Sequence, residues 1–311
     1  MSQAATLAED FATDPLTRGW RVFGDANLFA WNAANHNLSV TWDSSRPNSY
    51  YYLPLGTILN RQDDFSLALD LKLIDVAAGV NANKPSTFEL ALGFLNLAES
   101  TGTNFFRGNS SRSPDLVEFD FFPDTEFGPT IWPSIWSTNS SLNYNGSGDY
   151  SILALPTLTW MRVSLSYTTS NATLAISVKT NGVSIGTINS VKLSPSFTDF
   201  RAAAFGIESY SDAGQDPRFG GSLLAHGIVD NILLTVPPPP IVNVSGHFTN
   251  GRWEVMFGTR ANWLYTLERT LDFQTWASAS PATAGNGTNL VLSDPAVMPG
   301  GAFYRVRAEK P

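Results

Sequence analysis

The sequence contains no cysteine. That excludes a disulfide framework, a thiol nucleophile and a cysteine-ligated zinc or iron–sulfur centre. Charge is sparse: Asp, Glu, Lys and Arg make up 15% of 311 residues, while hydrophobic residues reach 43%. Disorder needs the reverse balance. Basic residues are outnumbered 19 to 27, for a net charge of −8, and they form no run. Phosphate neutralisation dominates nucleic-acid affinity, so no nucleic-acid partner is expected. No stretch approaches the ~18 apolar residues of a membrane span, so no membrane insertion is expected. The three histidines, His36, His226 and His247, are far apart and lack metal-ligand spacing. No Gly-x-Ser-x-Gly, P-loop or dinucleotide fingerprint occurs. The opening, MSQAATLAEDF, has neither a basic n-region nor an apolar h-region, so no signal peptide is read there. Low charge, scarce lysine and abundant Ser, Thr and Asn nonetheless suit a secreted or cell-surface protein that starts at a mature terminus. A cytoplasmic protein is the plain alternative.

What the sequence does hold is strand pattern. Phe65-Leu67-Leu69-Leu71-Leu73, Phe88-Leu90-Leu92-Phe94 and Met161-Val163-Leu165-Tyr167 alternate with polar or small residues, the period-2 signature of half-buried strands. Leu174-Ile176-Val178 and Val183-Ile185 flank Asn181-Gly182, a hairpin signal because a type I′ turn needs positive φ twice. No useful segment shows a 3.6-residue period. With 24 glycines and 19 prolines, the chain reads as all-β: a β-sandwich followed by a second, smaller one. The boundary falls at Pro237–Pro240, which reads as a stiff linker. Residues 1–240 carry 13 basic and 22 acidic side chains, and residues 241–311 carry 6 and 5, so the acidity belongs to the first domain, 1–236. In the second, 241–311, strands are expected at Arg252–Phe257, Trp263–Arg269, Asn289–Ser293 and Ala302–Arg307. Trp253, Phe257, Trp263, Phe273, Trp276, Phe303 and Tyr304 are expected to supply its core.

Glu9-Asp10-Phe11 with Gly19-Trp20, and the closing Gly227-Ile228-Val229-Asp230-Asn231-Ile232, resemble the first and last strands of secreted jelly rolls. These belong to the concanavalin A-like lectin/glucanase superfamily and its related carbohydrate-binding modules. The tail, with Tyr265-Thr266-Leu267-Glu268, Phe273-Gln274-Thr275-Trp276 and Phe303-Tyr304-Arg305-Val306-Arg307, resembles a small C-terminal β-module of secreted bacterial proteins. The first resemblance implies a jelly-roll fold over the whole first domain and a carbohydrate ligand. It also implies structural Ca²⁺, with Asp230 and either Glu9 or Asp10 as ligands and Asn231 as a possible extra one. Plain hydrogen bonding at a sheet edge is the alternative reading of those residues.

Candidate chemistry centres on Asp115–Glu126. Read as a strand, it puts Val117, Phe119 and Phe121 on the core face and Glu118, Asp120 and Phe122 on the other. Carboxylates two apart lie roughly 6.5 Å apart along a strand, and retaining glycosidases use a pair about 5–5.5 Å apart. The segment resembles the Glu-x-Asp-x-x-Glu signature of jelly-roll glucanases, which would make Glu118 the nucleophile. The third place is Pro123, which cannot donate a proton, so Asp124 or Glu126 would have to substitute. Glu118 and Asp120 as solvated residues on a polar face is the alternative. Downstream, Trp132, Ser134 and Trp136 share a strand face, the indoles roughly 13 Å apart along it. If the 123–129 turn folds this strand back, both indoles join the carboxylates as a platform for sugar rings, unless they are core. Trp160 and Arg162 are expected to add to that platform. The acidic loop Glu208–Pro217 is a candidate groove mouth or cation site, with a plain long connection as the alternative.

Three functions remain: a polysaccharide- or oligosaccharide-binding protein, a glycoside hydrolase or polysaccharide lyase using Glu118, or a structural or adhesive surface protein. Pro123 breaks the catalytic triplet, so binding is placed first. Oligomeric state is not legible.

Overall fold

A computed structural model describes residues 5–78, 87–107, 112–138, 150–215, 221–261, 263–296 and 301–309. The chain divides into two compact units, Ala8–Val236 and Pro237–Pro311 with Met1–Leu7.

Among the described residues, sixteen strands precede Pro237: β1 (Ala5–Glu9), β2 (Arg21–Phe23), β3 (Phe29–Asn32), β4 (Asn37–Asp43), β5 (Ser49–Leu59), β6 (Phe65–Ala78), β7 (Leu90–Leu95), β8 (Leu116–Phe122), β9 (Thr130–Trp136), β10 (Ser151–Ile152), β11 (Met161–Thr168), β12 (Thr173–Thr180), β13 (Val183–Ser184), β14 (Val191–Lys192), β15 (Ala202–Ser209) and β16 (Leu223–Val236). They form two sheets. One runs β13-β12-β11-β6-β16-β4-β3, with β1 against β16 and β14 against β12; the other runs β10-β9-β8-β7-β15-β5-β2. The main ladders are antiparallel, and the result is a jelly-roll β-sandwich.

Alternation explains the layers. In β6, Phe65, Leu67, Leu69, Leu71 and Leu73 are buried while the residues between them are partly exposed. Across the sandwich, Phe65 of the first sheet meets Phe94 of the second edge-to-face at 5.1 Å; within the second sheet Phe94 meets Phe205 at 6.1 Å. Each such ring withdrawn from water contributes about 1.5–3 kcal/mol. The β12–β13 hairpin turns at Asn181 (φ 50°) and Gly182 (φ 80°), the two positive angles of a type I′ turn. The closing strand β16 lies inside its sheet between β6 and β4, with a register shift between Asp230 and Leu233.

The small unit has β17 (Val242–Thr249), β18 (Arg252–Gly258), β19 (Leu264–Thr270), β20 (Ala277–Ser278), β21 (Thr283–Ala284), β22 (Asn289–Asp294) and β23 (Phe303–Glu309). Two sheets, β17-β18-β22 and β20-β19-β21 with β23 against β19, share a core of Val255, Phe257, Trp263, Tyr265, Leu267, Leu292 and Ala308. Trp253 and Tyr304 stack at 5.4 Å at its margin. Phe273, Trp276 and Phe303 depart from expectation and lie outside this core. The inward positions of β23 are 304, 306 and 308, which puts 303 on the outer face. Phe273 and Trp276 belong to the loop after β19.

Candidate functional site

The site is built on the second sheet. Phe94 faces the first sheet, so its neighbours Val117, Phe119 and Phe121 do too. Glu118 and Asp120 therefore point to the opposite, outer face. Registers extend that face sideways. Asp120 lies between Trp132 of β9 and Ala91 of β7, then Glu208 of β15 and Tyr50 of β5. Glu118 lies between Ser134 and Gly93, then Gly206. A Cβ at Gly206 would meet Glu208 Oε1 at 2.5 Å, so the missing side chain there makes room for the Glu208 carboxyl.

These acids face away from the core, yet they are not solvated. Glu89, Glu118, Asp120, Glu208 and Tyr210 are all at most 3% exposed. The cover includes the segment after β7: one helical turn, α1 (Leu97–Ser100), capped by Asn96, then the chain to Arg107. Tyr50 Oη donates to Ser100 O (3.0 Å) and Phe105 packs on Tyr210 at 5.9 Å, pinning this segment. Arg107 Nη2 lies 2.7 Å from Asp120 Oδ2 and 3.1 Å from Glu118 Oε2. Its Nε lies 3.0 Å from Glu89 Oε1, an ion pair at too poor an angle for a hydrogen bond. The guanidinium sits 4.9 Å from the Trp136 ring centre and 5.7 Å from that of Tyr210. Ser134 Oγ donates to Asp120 Oδ2 at 2.6 Å, and Tyr210 Oη donates to Glu118 Oε1. Neither carboxylate oxygen of Glu208 has a hydrogen-bond partner among the described residues.

Three carboxyls thus share one guanidinium, with a fourth, Glu208, buried beside them. Burial disfavours their charged forms, and Arg107 only partly offsets it. Burial pushes Glu118 up to about 8, against the pull of Arg107. Glu89 and Glu208 are pushed well above the carboxylate range by burial and by their acidic neighbours. Asp120 is raised by burial, with Arg107 and the Ser134 hydroxyl opposing. Around neutral pH the cluster holds protons that exposed carboxylates would have lost.

Beside it lies an aromatic cluster. Trp132 contacts Tyr150 (ring centres 4.7 Å), Phe122 (6.4 Å) and Trp136 (6.0 Å, edge-to-face). Trp132 and Phe122 are partly exposed and Tyr150 is exposed, whereas Trp136 is buried over Arg107. The indoles of Trp132 and Trp136 are therefore not spread along the strand. They lean together over the small Ser134 between them.

The structure brings Glu118, Asp120, Trp132 and Trp136 onto one face, and β9 does fold back on β8. It does not bring Glu126, which is exposed in the turn beyond the strand; Asp124 is exposed there too. Trp160 and Arg162 are on the wrong side of the sandwich. Strand β11 belongs to the first sheet, where Arg162 Nη1 donates to Asp70 Oδ1 (3.1 Å) and to Asn231 O (2.7 Å). The acidic loop also resolves differently. Glu208 ends a strand and enters the buried cluster, and Asp212 accepts from Ser44 Oγ. Asp216 and Pro217 lie outside the described residues.

The residues expected to hold Ca²⁺ do not fit one as they stand. Glu9 is buried, and its oxygens accept from Phe11 N, Trp20 Nε1 and Arg18. Asp230 accepts from Asn231 N (2.7 Å), and its carboxyl is raised by burial first, with Asp70 and Asp10 adding to it. Asn231 donates its amide to Asp70. Among the described residues no group of three or more His, Cys, Asp or Glu is arranged to hold a metal, and Ca²⁺ takes six to eight oxygens.

Sequence pattern flagged Glu118, Asp120, Trp132 and Trp136 and set Ser134 on the same face, but it missed Arg107 and Glu89 and read Glu208 and Tyr210 as part of an acidic loop. The alternation already set Glu89 on the polar face of its strand. Nothing local marks Arg107, whose partners lie on other strands.

No family model matches the chain, and no curated protein matches it. Among solved structures it is similar to a seed lectin of Lotus tetragonolobus (TM-score 0.46, 9% identity, 74% of this chain and 97% of that one). It is also similar to the carbohydrate recognition domain of Emp47p (0.44, 9%, 75% and 95%) and to the alginate lyase Aly36B bound to an alginate tetrasaccharide (0.42, 12%, 74% and 96%). These likenesses assign no residue a role.

Proposed function

We propose that the larger unit binds a polysaccharide or oligosaccharide on the outer face of its second sheet, at the β8–β10 end. The observation that carries this reading is the cluster of Phe122, Trp132 and Tyr150, partly open to solvent and set against Trp136. Flat rings in fixed orientation suit the C–H faces of pyranoses, and Tyr supplies a hydroxyl at the rim. The buried acids and Arg107 hold the strands and the Trp136 ring beneath it. Hydrolysis through Glu118 is the lesser reading. That carboxyl is 0% exposed and stays neutral up to about pH 8, whereas a nucleophile must be ionised and reach the sugar. Low charge content supports a secreted or surface location, and no helix among the described residues is long and apolar enough to cross a membrane. In this reading the proline run separates a sugar-binding unit from an accessory module.

The test is a polysaccharide panel scored for pull-down and reducing-sugar release. Wild type should bind without release, Trp132→Ala should weaken binding ~10-fold or more, and Glu118→Gln should bind as wild type. Release that Glu118→Gln abolishes would establish the hydrolase instead. Failure to bind any polysaccharide would remove the carbohydrate reading.

A further inference from the structure

Three aromatic side chains that composition assigns to the small core stand together on its surface. Phe273 is 60% exposed and Phe303 51%, with ring centres 4.0 Å apart. Trp276, half-buried, is 6.4 Å from Phe273. Exposed Leu271 precedes them in the same loop. A contiguous exposed apolar patch is informative where a scattered apolar residue is not.

The loop that carries Phe273 is rigid by construction. Thr270 Oγ1 accepts from Phe273 N (3.0 Å) and donates to Asp272 Oδ1 (2.9 Å). Asp272 Oδ1 also accepts from Gln274 N (2.8 Å) and Thr275 N (2.9 Å). Those backbone N–H groups, Thr275 first, hold the Asp272 carboxyl down at about 2, so the lock persists at any ordinary pH. Phe273 itself has φ 59°, a left-handed conformation uncommon for a bulky residue. Strain kept by a network that fixes a hydrophobic ring in water suggests use.

Beside the rings, the Arg305 guanidinium lies 4.1 Å from the Trp276 ring centre while its Nε donates to Glu268 Oε2 at 2.7 Å. Arg307 Nε pairs with the other Glu268 oxygen at 2.9 Å. The patch is thus bordered by polar groups that are already neutralised and oriented. Its size decides between occupants. An aromatic side chain offers ~150–250 Å² in all, so three rings about half open present only a few hundred Å². A stable protein interface needs about 800 Å² per partner. The patch suits one or two small flat rings with hydroxyls at their edges.

We propose that Phe273, Phe303 and Trp276, with Arg305, form a second carbohydrate-contact site on the C-terminal module. It stacks a pyranose against the rings and places the Arg305 guanidinium against its hydroxyls. The proposal shares a ligand class with the jelly-roll reading but rests on a different unit and different residues.

The test uses the full chain and measures affinity for cello-, xylo- and alginate hexasaccharides and their parent polysaccharides. Wild type, Phe273→Ala/Phe303→Ala, Phe273→Leu, Trp132→Ala and the triple variant are compared. With Trp132→Ala, residual binding should persist, and the triple variant should lose it by ~10-fold or more. Phe273→Leu, which keeps apolarity but not a flat ring, should weaken binding as alanine does. Full binding by Phe273→Leu would overturn the stacking site. So would unchanged binding by Phe273→Ala/Phe303→Ala together with its loss in Trp132→Ala, which would leave the jelly-roll reading standing. Loss in the module variant with none in Trp132→Ala would support the module site and sink the other. Light scattering covers the remaining occupant: a dimer that Phe273→Ala/Phe303→Ala makes monomeric, with sugar binding intact, overturns the proposal. Absence of binding to every glycan overturns it too. Phe273 and Phe303 are exposed and Trp132 partly so, and an unchanged circular dichroism spectrum will verify folding.

Discussion

Replacing Glu118 by glutamine should make the protein more stable at alkaline pH, although it removes a residue at the centre of a hydrogen-bonded, ion-paired cluster. Unfolded, Glu118 ionises near its ordinary 4.5; folded, it keeps its proton up to about 8 because it is buried. The folded value is the higher one, so its stabilising contribution is complete below pH 4.5 and is lost as pH rises towards 8. Each pH unit in that window costs about 1.4 kcal/mol, for a total on the order of 5 kcal/mol. Glu89 and Glu208, also raised by burial, act in the same direction and steepen the fall. Glutamine has the same shape and no proton to lose. At pH 4.5 the folded Glu118 is protonated, so the amide replaces a neutral carboxyl of the same shape and the variant should equal wild type or be slightly weaker. At pH 8 it should be stronger by a few kcal/mol. For a unit of this size 1 kcal/mol moves Tm by roughly 2–4 °C, so a gain near 10 °C is the expected scale. Scanning calorimetry from pH 4.5 to 9, following the transition of the larger unit, measures it. A wild-type Tm that is flat between pH 5 and 8, or a variant equally destabilised at both ends, would refute the claim that this carboxyl is neutral in the fold.

Arg107→Met should cost about 3–5 kcal/mol near neutral pH, because it takes away the cation 2.7 Å from buried Asp120 that favours its charged form; urea titration measures it, and the loss should shrink towards pH 4.5. Gly206→Ala should cost about 1–3 kcal/mol, since its Cβ would lie 2.5 Å from Glu208 Oε1 and 2.6 Å from Leu95 Cδ2. Calorimetry of that variant should show a lower Tm with no change in the small unit. Excess EDTA should leave Tm unchanged, because Glu9 is already taken by Arg18, Trp20 and Phe11; a fall of several degrees restored by Ca²⁺ would show that the ends of the jelly roll do bind metal.

Alternation alone determined that Val117, Phe119 and Phe121 face the core and that Glu118 and Asp120 do not. Turn residues set the Asn181-Gly182 hairpin, alternation the strands of the tail, and composition the concentration of acidity before the prolines. Those are local properties: a strand's two faces differ in polarity, and a turn needs residues that tolerate positive φ. Which sheet a strand joins is not local. Trp160 and Arg162 look like partners of Glu118 in sequence, yet β11 pairs with β6, some 90 residues earlier, and carries them to the far side. What covers a face is not local either. A polar face reads as solvated until Arg107 is placed on it, and then the same carboxyls are buried and their pKa values are raised by that burial. The same holds in the small module, where aromatic content pointed to core. Phe303 ended outside because its strand parity put it there, and Phe273 because Thr270 and Asp272 fix its backbone. Period-2 pattern tells a side chain which way to point; only the packed tertiary structure decides whether water, another strand or a single arginine waits on that side.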